Sequence, residues 1–119
     1  MNLSEVITEE IKKFHKLDKV NPWHVFYNYN KGNGTRLTKQ GFTLLQPMFT
    51  SYKITLDKEH RIKNKHLIIL ERAMTFPYYV TGSAIWVFSE QDAFMLKLNG
   101  GDIEHLGQTV GVTLDSKTP

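Results

Sequence analysis

Pro77-Tyr78-Tyr79-Val80-Thr81-Gly82-Ser83-Ala84-Ile85-Trp86-Val87-Phe88-Ser89 is the stretch that decides the fold. Aromatic and β-branched residues crowd both sides of Gly82-Ser83. That pattern predicts two antiparallel strands joined by a two-residue loop, with glycine at the first central position as a type II′ turn requires. Ser89 closes the second strand and is the expected N-cap of a helix. Asp92, three residues on, is placed to reach back as in a capping box. Phe94, Met95 and Leu98 form the expected inner face of that helix, and Asn99-Gly100-Gly101 its left-handed stop.

Working toward the amino terminus, Asn64 is the expected cap of a helix running through Met74 or Thr75. Leu67, Ile68, Ile69, Leu70, Ala73 and Met74 leave it few polar positions, so it should be mostly buried. Residues 57–63 are polar and read as a loop. Tyr52, Ile54 and Leu56 alternate with Lys53 and Thr55, the period of a half-buried strand facing inward through the first three. Thr38 is the expected N-cap of the preceding helix, with Leu37 and Phe42 spaced for a hydrophobic staple. Phe42, Leu45 and Phe49 share a stripe there, and Pro47 should kink or end the helix. Residues 23–29 read as a strand and Lys31-Gly32-Asn33-Gly34 as a turn with a very short returning strand. Leu3, Val6, Ile7, Ile11, Phe14 and Leu17 recur at helical spacing behind a Ser4 cap, and Asn21-Pro22 should end that first helix.

The result is an α+β chain with one small, mostly antiparallel sheet and about four helices. A length of 119 residues, with 40% hydrophobic and 23% charged residues, suits a single core. The domain is expected over residues 1–106. Residues 107–119, rich in glycine and threonine, read as a C-terminal tail, partly disordered. Without cysteine the chain has no disulfide, thiolate nucleophile or sulfur-ligated metal. Apolar runs such as 67–70 are far too short to cross a bilayer, and the acidic amino terminus does not read as a signal peptide. A cytoplasmic protein with no membrane partner is the expectation. A formal charge of +3 tilts slightly toward a polyanionic partner.

Helix, strand, helix and hairpin over residues 38–88 follow the order of a winged-helix DNA-binding domain. Such a domain needs two helices between first strand and wing, the second offering polar residues to the major groove. Only about 20 residues separate Leu56 from Pro77, and their one clear helix is rich in leucine and isoleucine. A core helix beneath a hairpin fits better, which makes the hairpin scaffold.

Two segments carry the functional signals. Lys58, His60, Arg61, Lys63, Lys65 and His66, with Lys53 on the strand before them, form the densest basic cluster, and cations of this kind contact phosphates. Asp57 and Glu59 dilute it, and a solvated loop is the plainer alternative. Trp23, His24, Phe26, Tyr27 and Tyr29 adjoin Asn28, Asn30, Lys31, Asn33 and Arg36, a mixture that stacks bases or anchors a protein partner. Trp23, Tyr27, Tyr29 and Arg36 are the partner-binding candidates, against the alternative of a core strand with a polar turn.

Gly32-Asn33-Gly34-Thr35 lacks the lysine of a phosphate-binding loop. The five histidines show no pair at metal-ligand helical spacing, and no serine sits in a nucleophile elbow. No catalytic residue, metal or cofactor is therefore expected.

Arg36-Leu37-Thr38-Lys39-Gln40-Gly41-Phe42, then Pro77-Tyr78-Tyr79, then Phe88 through Leu98 before Gly100-Gly101-Asp102 resemble small accessory proteins of tailed bacteriophages. The resemblance covers residues 36–102 and implies a partner that is nucleic acid or a host or phage protein. The leading expectation is thus a non-enzymatic, phage-encoded protein that binds nucleic acid. The alternative is a protein-binding module, either a host-enzyme modulator or a virion component, using the aromatic segment and hairpin; a hydrolase ranks last.

Overall fold

A computed structural model describes residues 3–27, 35–57, 59–98, 103 and 106–112, of which 108–112 are described by backbone alone. Strand β1 (Ser51–Leu56) organises it by pairing on both sides. The expected hairpin is β2 (Tyr78–Val80) and β3 (Ala84–Val87), and β3 lies antiparallel to β1 with Ile54 opposite Ile85 and Lys53 opposite Trp86. On the other side runs β4 (Leu106–Val112), also antiparallel, giving the order β2-β3-β1-β4. Among the described residues five helices accompany the sheet: α1 (Leu3–His15), α2 (Pro22–Val25), α3 (Lys39–Leu45), α4 (Asn64–Ala73) and α5 (Glu90–Leu98). The α+β class and small antiparallel sheet are as expected, with one helix more.

Residues directly opposed in an antiparallel ladder share a face. Tyr52, Ile54, Leu56, Tyr78, Val80, Ile85 and Val87 therefore point one way, onto Leu70 of α4, Ala93 and Leu96 of α5, Met74 and Ile103. A second cluster gathers Ile7 and Ile11 of α1, Val25 of α2, Leu45 of α3, Phe26, Leu37 and Phe88. It meets the opposite face at the hairpin, where Phe42 stacks on Tyr79 with ring centroids 4.3 Å apart. The outer edge of β2 is covered: Leu37 N–H donates to the Tyr78 carbonyl at 2.6 Å, and Tyr78 N–H to that of Thr35 at 3.1 Å.

Thr38 caps α3 as expected, its hydroxyl accepting Gly41 N–H at 3.0 Å, and the helix stops at Leu45, two residues before Pro47. The hairpin loop has the expected length, since Thr81 N–H bonds the Ala84 carbonyl at 2.9 Å. Gly82 does not take the positive φ of a type II′ turn.

Other expectations are corrected. Of the strand expected over 23–29, residues 23–27 do not form one: Asn21 Oδ1 accepts Trp23 N–H at 3.0 Å and Pro22 opens α2, leaving an isolated bridge from Phe26 to Leu37, while 28 and 29 lie outside the described residues. Ser4 is no cap but a buried residue of α1, its hydroxyl 3.2 Å from that of Thr35. The first helix stops at His15 rather than Asn21-Pro22, because Lys16 turns left-handed at φ 54° and Leu17 N–H folds back to the Lys12 carbonyl at 2.9 Å. Lys63, not Asn64, is the N-cap of α4, and Ile68 of that helix is 52% exposed.

The helix α5 presents the face opposite to the one expected. Asp92, Ala93 and Leu96 are buried, whereas Phe94 and Leu98 are 57% and 65% exposed. Asp92 N–H does use the Ser89 hydroxyl as its cap, at 3.0 Å. Its carboxylate accepts instead from Thr75 N–H and hydroxyl, at 3.0 and 2.9 Å, and from Phe76 N–H at 3.0 Å. The tail expected from residue 107 is corrected over 107–112, which belong to β4. Residues 113–119, the turn at 31–34 and the glycine stop at 99–101 lie outside the described residues.

Candidate nucleic-acid interface

The basic loop is held against the hairpin by two backbone bonds. Leu56 N–H donates to the Ser83 carbonyl at 2.8 Å, and Ile62 N–H to that of Gly82 at 2.9 Å. Arg61 is exposed and lies across the turn: a Cβ on Gly82 would stand 2.9 Å from its Nη2. Lys63 and Lys65 are exposed as well, and His60 is half-buried. His66 must be withdrawn from the surface cluster. It is 3% exposed, and its Nδ1 accepts Lys63 N–H at 3.0 Å, doing at the start of α4 what glutamate does in a capping box. Lys58 lies outside the described residues.

Lys53 stands on the sheet face opposite Ile54, with its Nζ 5.6 Å from the centroid of the half-buried Trp86 ring. Three strand residues, about 10 Å, separate this pair from the bond that anchors the loop at Ser83. Tyr79 follows in the same row, and Phe42 lies against both rings, 5.2 Å from Trp86. Lysine and indole thus stand about three residues along the strands from the turn at Gly82-Ser83, where the loop cations are anchored. Sequence reading had treated Trp86 as scaffold. Its pairing with Lys53 becomes visible only with the register of β1 and β3.

The aromatic segment is divided. Phe26 is buried in the second cluster, while Trp23 and Tyr27 are 55% and 57% exposed. The Arg36 guanidinium carbon sits 4.7 Å from the Tyr27 ring centroid, a cation–π pair that the sequence proposed only as a neighbourhood. Tyr29 lies outside the described residues. Arg36 bridges Tyr78 at the start of β2, whereas the basic loop is anchored past the end of that strand. The fold therefore brings Tyr27 to Arg36 and Lys53 to Trp86, and sets Arg36 and the basic loop at opposite ends of the hairpin, with the Lys53–Trp86 pair between them.

Beneath Arg36, Tyr78 is fully buried and its hydroxyl meets no hydrogen-bond partner among the described residues. Burial first, then the charge of Glu71, push its ionisation above the ordinary tyrosine range, with Arg36 opposing. It stays neutral at physiological pH. Among the described residues no three His, Asp or Glu side chains gather as metal ligands, and no helix is long and apolar enough to cross a membrane. Comparison with protein-family models, curated proteins and solved structures finds no match for this chain.

Proposed function

We propose that this chain binds single-stranded nucleic acid without chemically altering it. The observation that carries the reading is the Lys53–Trp86 pair, about 10 Å along the strand from the bonds at Gly82 and Ser83 that anchor the loop bearing Arg61, Lys63 and Lys65. A half-exposed ring offers a stacking surface to any base, and flexible cations beside it follow the phosphates. Lysine is long enough to swing from the indole to a phosphate oxygen as a base arrives. Tyr27, backed by Arg36, supplies a second ring at the far end of the hairpin. The resemblance to small phage accessory proteins is compatible with this reading, since members of that group often bind nucleic acid or host enzymes.

Anisotropy of labelled oligothymidine and oligouridine, with a duplex as control, tests the reading. Binding is expected to favour single strands and to weaken at least tenfold between about 50 and 200 mM salt. The combined change Arg61→Glu, Lys63→Glu and Lys65→Glu should abolish most of it, and Trp86→Leu should weaken it further than duplex binding. No binding to any strand at low salt rejects the function. Binding untouched by the triple change rejects the site.

A further inference from the structure

A groove of about 340 Å³ opens between the end of α1, α2 and α3. Its floor and walls are apolar through Leu17, Val20, Val25 and Leu44, and its rim carries Lys19, Asn21, His24 and Gln40. Three local features build it. The left-handed turn at Lys16 throws the chain sideways after α1, Asn21 and Pro22 start α2 across the gap, and the absence of a side chain at Gly41 lets the backbone of Val25 rest on α3. His15 braces the walls, its Nε2 lying 2.8 Å from the Leu44 carbonyl. Leu17 on the wall is 41% exposed and Phe14, in the last turn of α1, 43%. The apolar surface therefore continues out of the groove.

The charge around it is mostly positive: Lys19 lines it, Lys16 and Lys39 adjoin the lining residues Leu17 and Gln40, and Asp18 is the acidic exception. Lys12 and Lys13 pair with Glu9 and Glu10 along α1, but Lys16, Lys19 and Lys39 form no ion pair among the described residues. No carboxylate lines the groove among the described residues, and Asp18 is the one acidic residue between positions 16 and 24. A volume at the small end of ligand sites, open to solvent, accommodates one or two apolar side chains rather than enclosing a whole cofactor. We infer that the groove is a docking site for an acidic protein segment that inserts a leucine or phenylalanine between α1, α2 and α3 and lays its carboxylates against Lys16, Lys19 and Lys39. Apolar burial supplies the anchor, and the lysine rim selects acidic flanks over basic ones.

The test uses the full chain and a fluorescein-labelled decapeptide of alternating aspartate and leucine, with the lysine–leucine counterpart as control. Anisotropy should show saturable binding of the acidic peptide alone. Leu17→Asp and Lys19→Glu, both at solvent-facing positions, should each weaken it about tenfold or more, while Lys97→Glu, an equal charge reversal at an exposed position of α5 outside the groove, changes it little. Circular dichroism confirms that each variant is folded. The Arg61, Lys63 and Lys65 charge reversals should leave peptide binding intact, so this inference and the nucleic-acid reading fail independently. Absence of saturable binding, equal binding of the lysine–leucine peptide, indifference to Leu17→Asp and Lys19→Glu, or displacement of the peptide by oligothymidine each overturns the assignment.

Discussion

Gly41→Ala inverts an ordinary rule, and the inversion can be worked from coordinates. In a helix interior, alanine in place of glycine stabilises by roughly 0.5–1 kcal/mol. Here a new Cβ would stand 2.2 Å from the Val25 carbonyl oxygen, 2.9 Å from its carbon and 3.0 Å from its Cα. All three are backbone atoms, so no side chain can rotate away. The same oxygen accepts Thr38 N–H at 2.9 Å, tying the strained contact to the cap of α3. Relieving the clash means moving α2 off α3 by about 1 Å, and overpacking of that kind costs about 1–3 kcal/mol. Loosening the Thr38 bond adds about 1 kcal/mol. After the propensity gain is subtracted, a net loss of about 2 kcal/mol remains. For a domain of this size that lowers the melting temperature by roughly 6–12 °C. Urea and thermal unfolding followed by circular dichroism measure both. A midpoint at or above that of the parent chain would refute the backbone contact between α2 and α3, and with it the floor of the α1–α3 groove.

Lys16→Gly should stabilise by about 1 kcal/mol in thermal melts, because a lysine at φ 54° bears a left-handed strain that glycine does not. Asp92→Asn should cost about 2–3 kcal/mol in urea, since an amide offers one acceptor where the buried carboxylate serves three donors. On α5, Leu96→Ala should cost about 2–4 kcal/mol while Phe94→Ser and Leu98→Ser stay within about 0.5 kcal/mol; the reverse order would show that the helix faces the other way. Tyr78→Phe should be neutral or stabilise by up to about 1 kcal/mol at pH 7, because the hydroxyl it removes is buried and has no hydrogen-bond partner among the described residues. Its pH dependence has a definite sign. The unfolded tyrosine ionises near 10 while the folded one holds its proton, so the parent chain loses stability as pH climbs above about 10, and the phenylalanine variant loses less in urea titrations up to about pH 11.

Locally encoded features were legible in the sequence. The two-residue loop at Gly82-Ser83, the Thr38 cap and the alternation through Tyr52, Ile54 and Leu56 depend on neighbours a few positions apart. What failed depended on partners far along the chain. Periodicity would bury Phe94 and Leu98 for about 1.5–3 kcal/mol each. That rotation would strip the donors at Thr75 and Phe76, some 17 residues away, of the Asp92 carboxylate, and buried N–H groups left bare offset the gain. Glycine and threonine made residues 107–112 read as tail. At Gly107, however, a Cβ would lie 2.8 Å from the Thr55 carbonyl oxygen, beside the register shift between Ile54 and Leu56, so glycine there is what lets β4 approach β1.

The same distinction governs the candidate site. Aromatic and basic residues were visible as types, but their grouping is set by strand register. Thr81 and Ala84 close a two-residue loop, which aligns Tyr79 with Trp86, and β3 in turn aligns Trp86 with Lys53. A one-residue slip would exchange faces, turning Trp86 into the core and Val87 out of it. Core packing resists that slip, because Val87 and Ile85 are fully buried between Tyr78, Ile54 and the helices. The residues that hold the register are therefore not the residues that would meet a ligand. Substitutions at Ile85 or Val87 should remove stability and binding together, whereas changes at Trp86, Lys53 or Arg61 should separate the two.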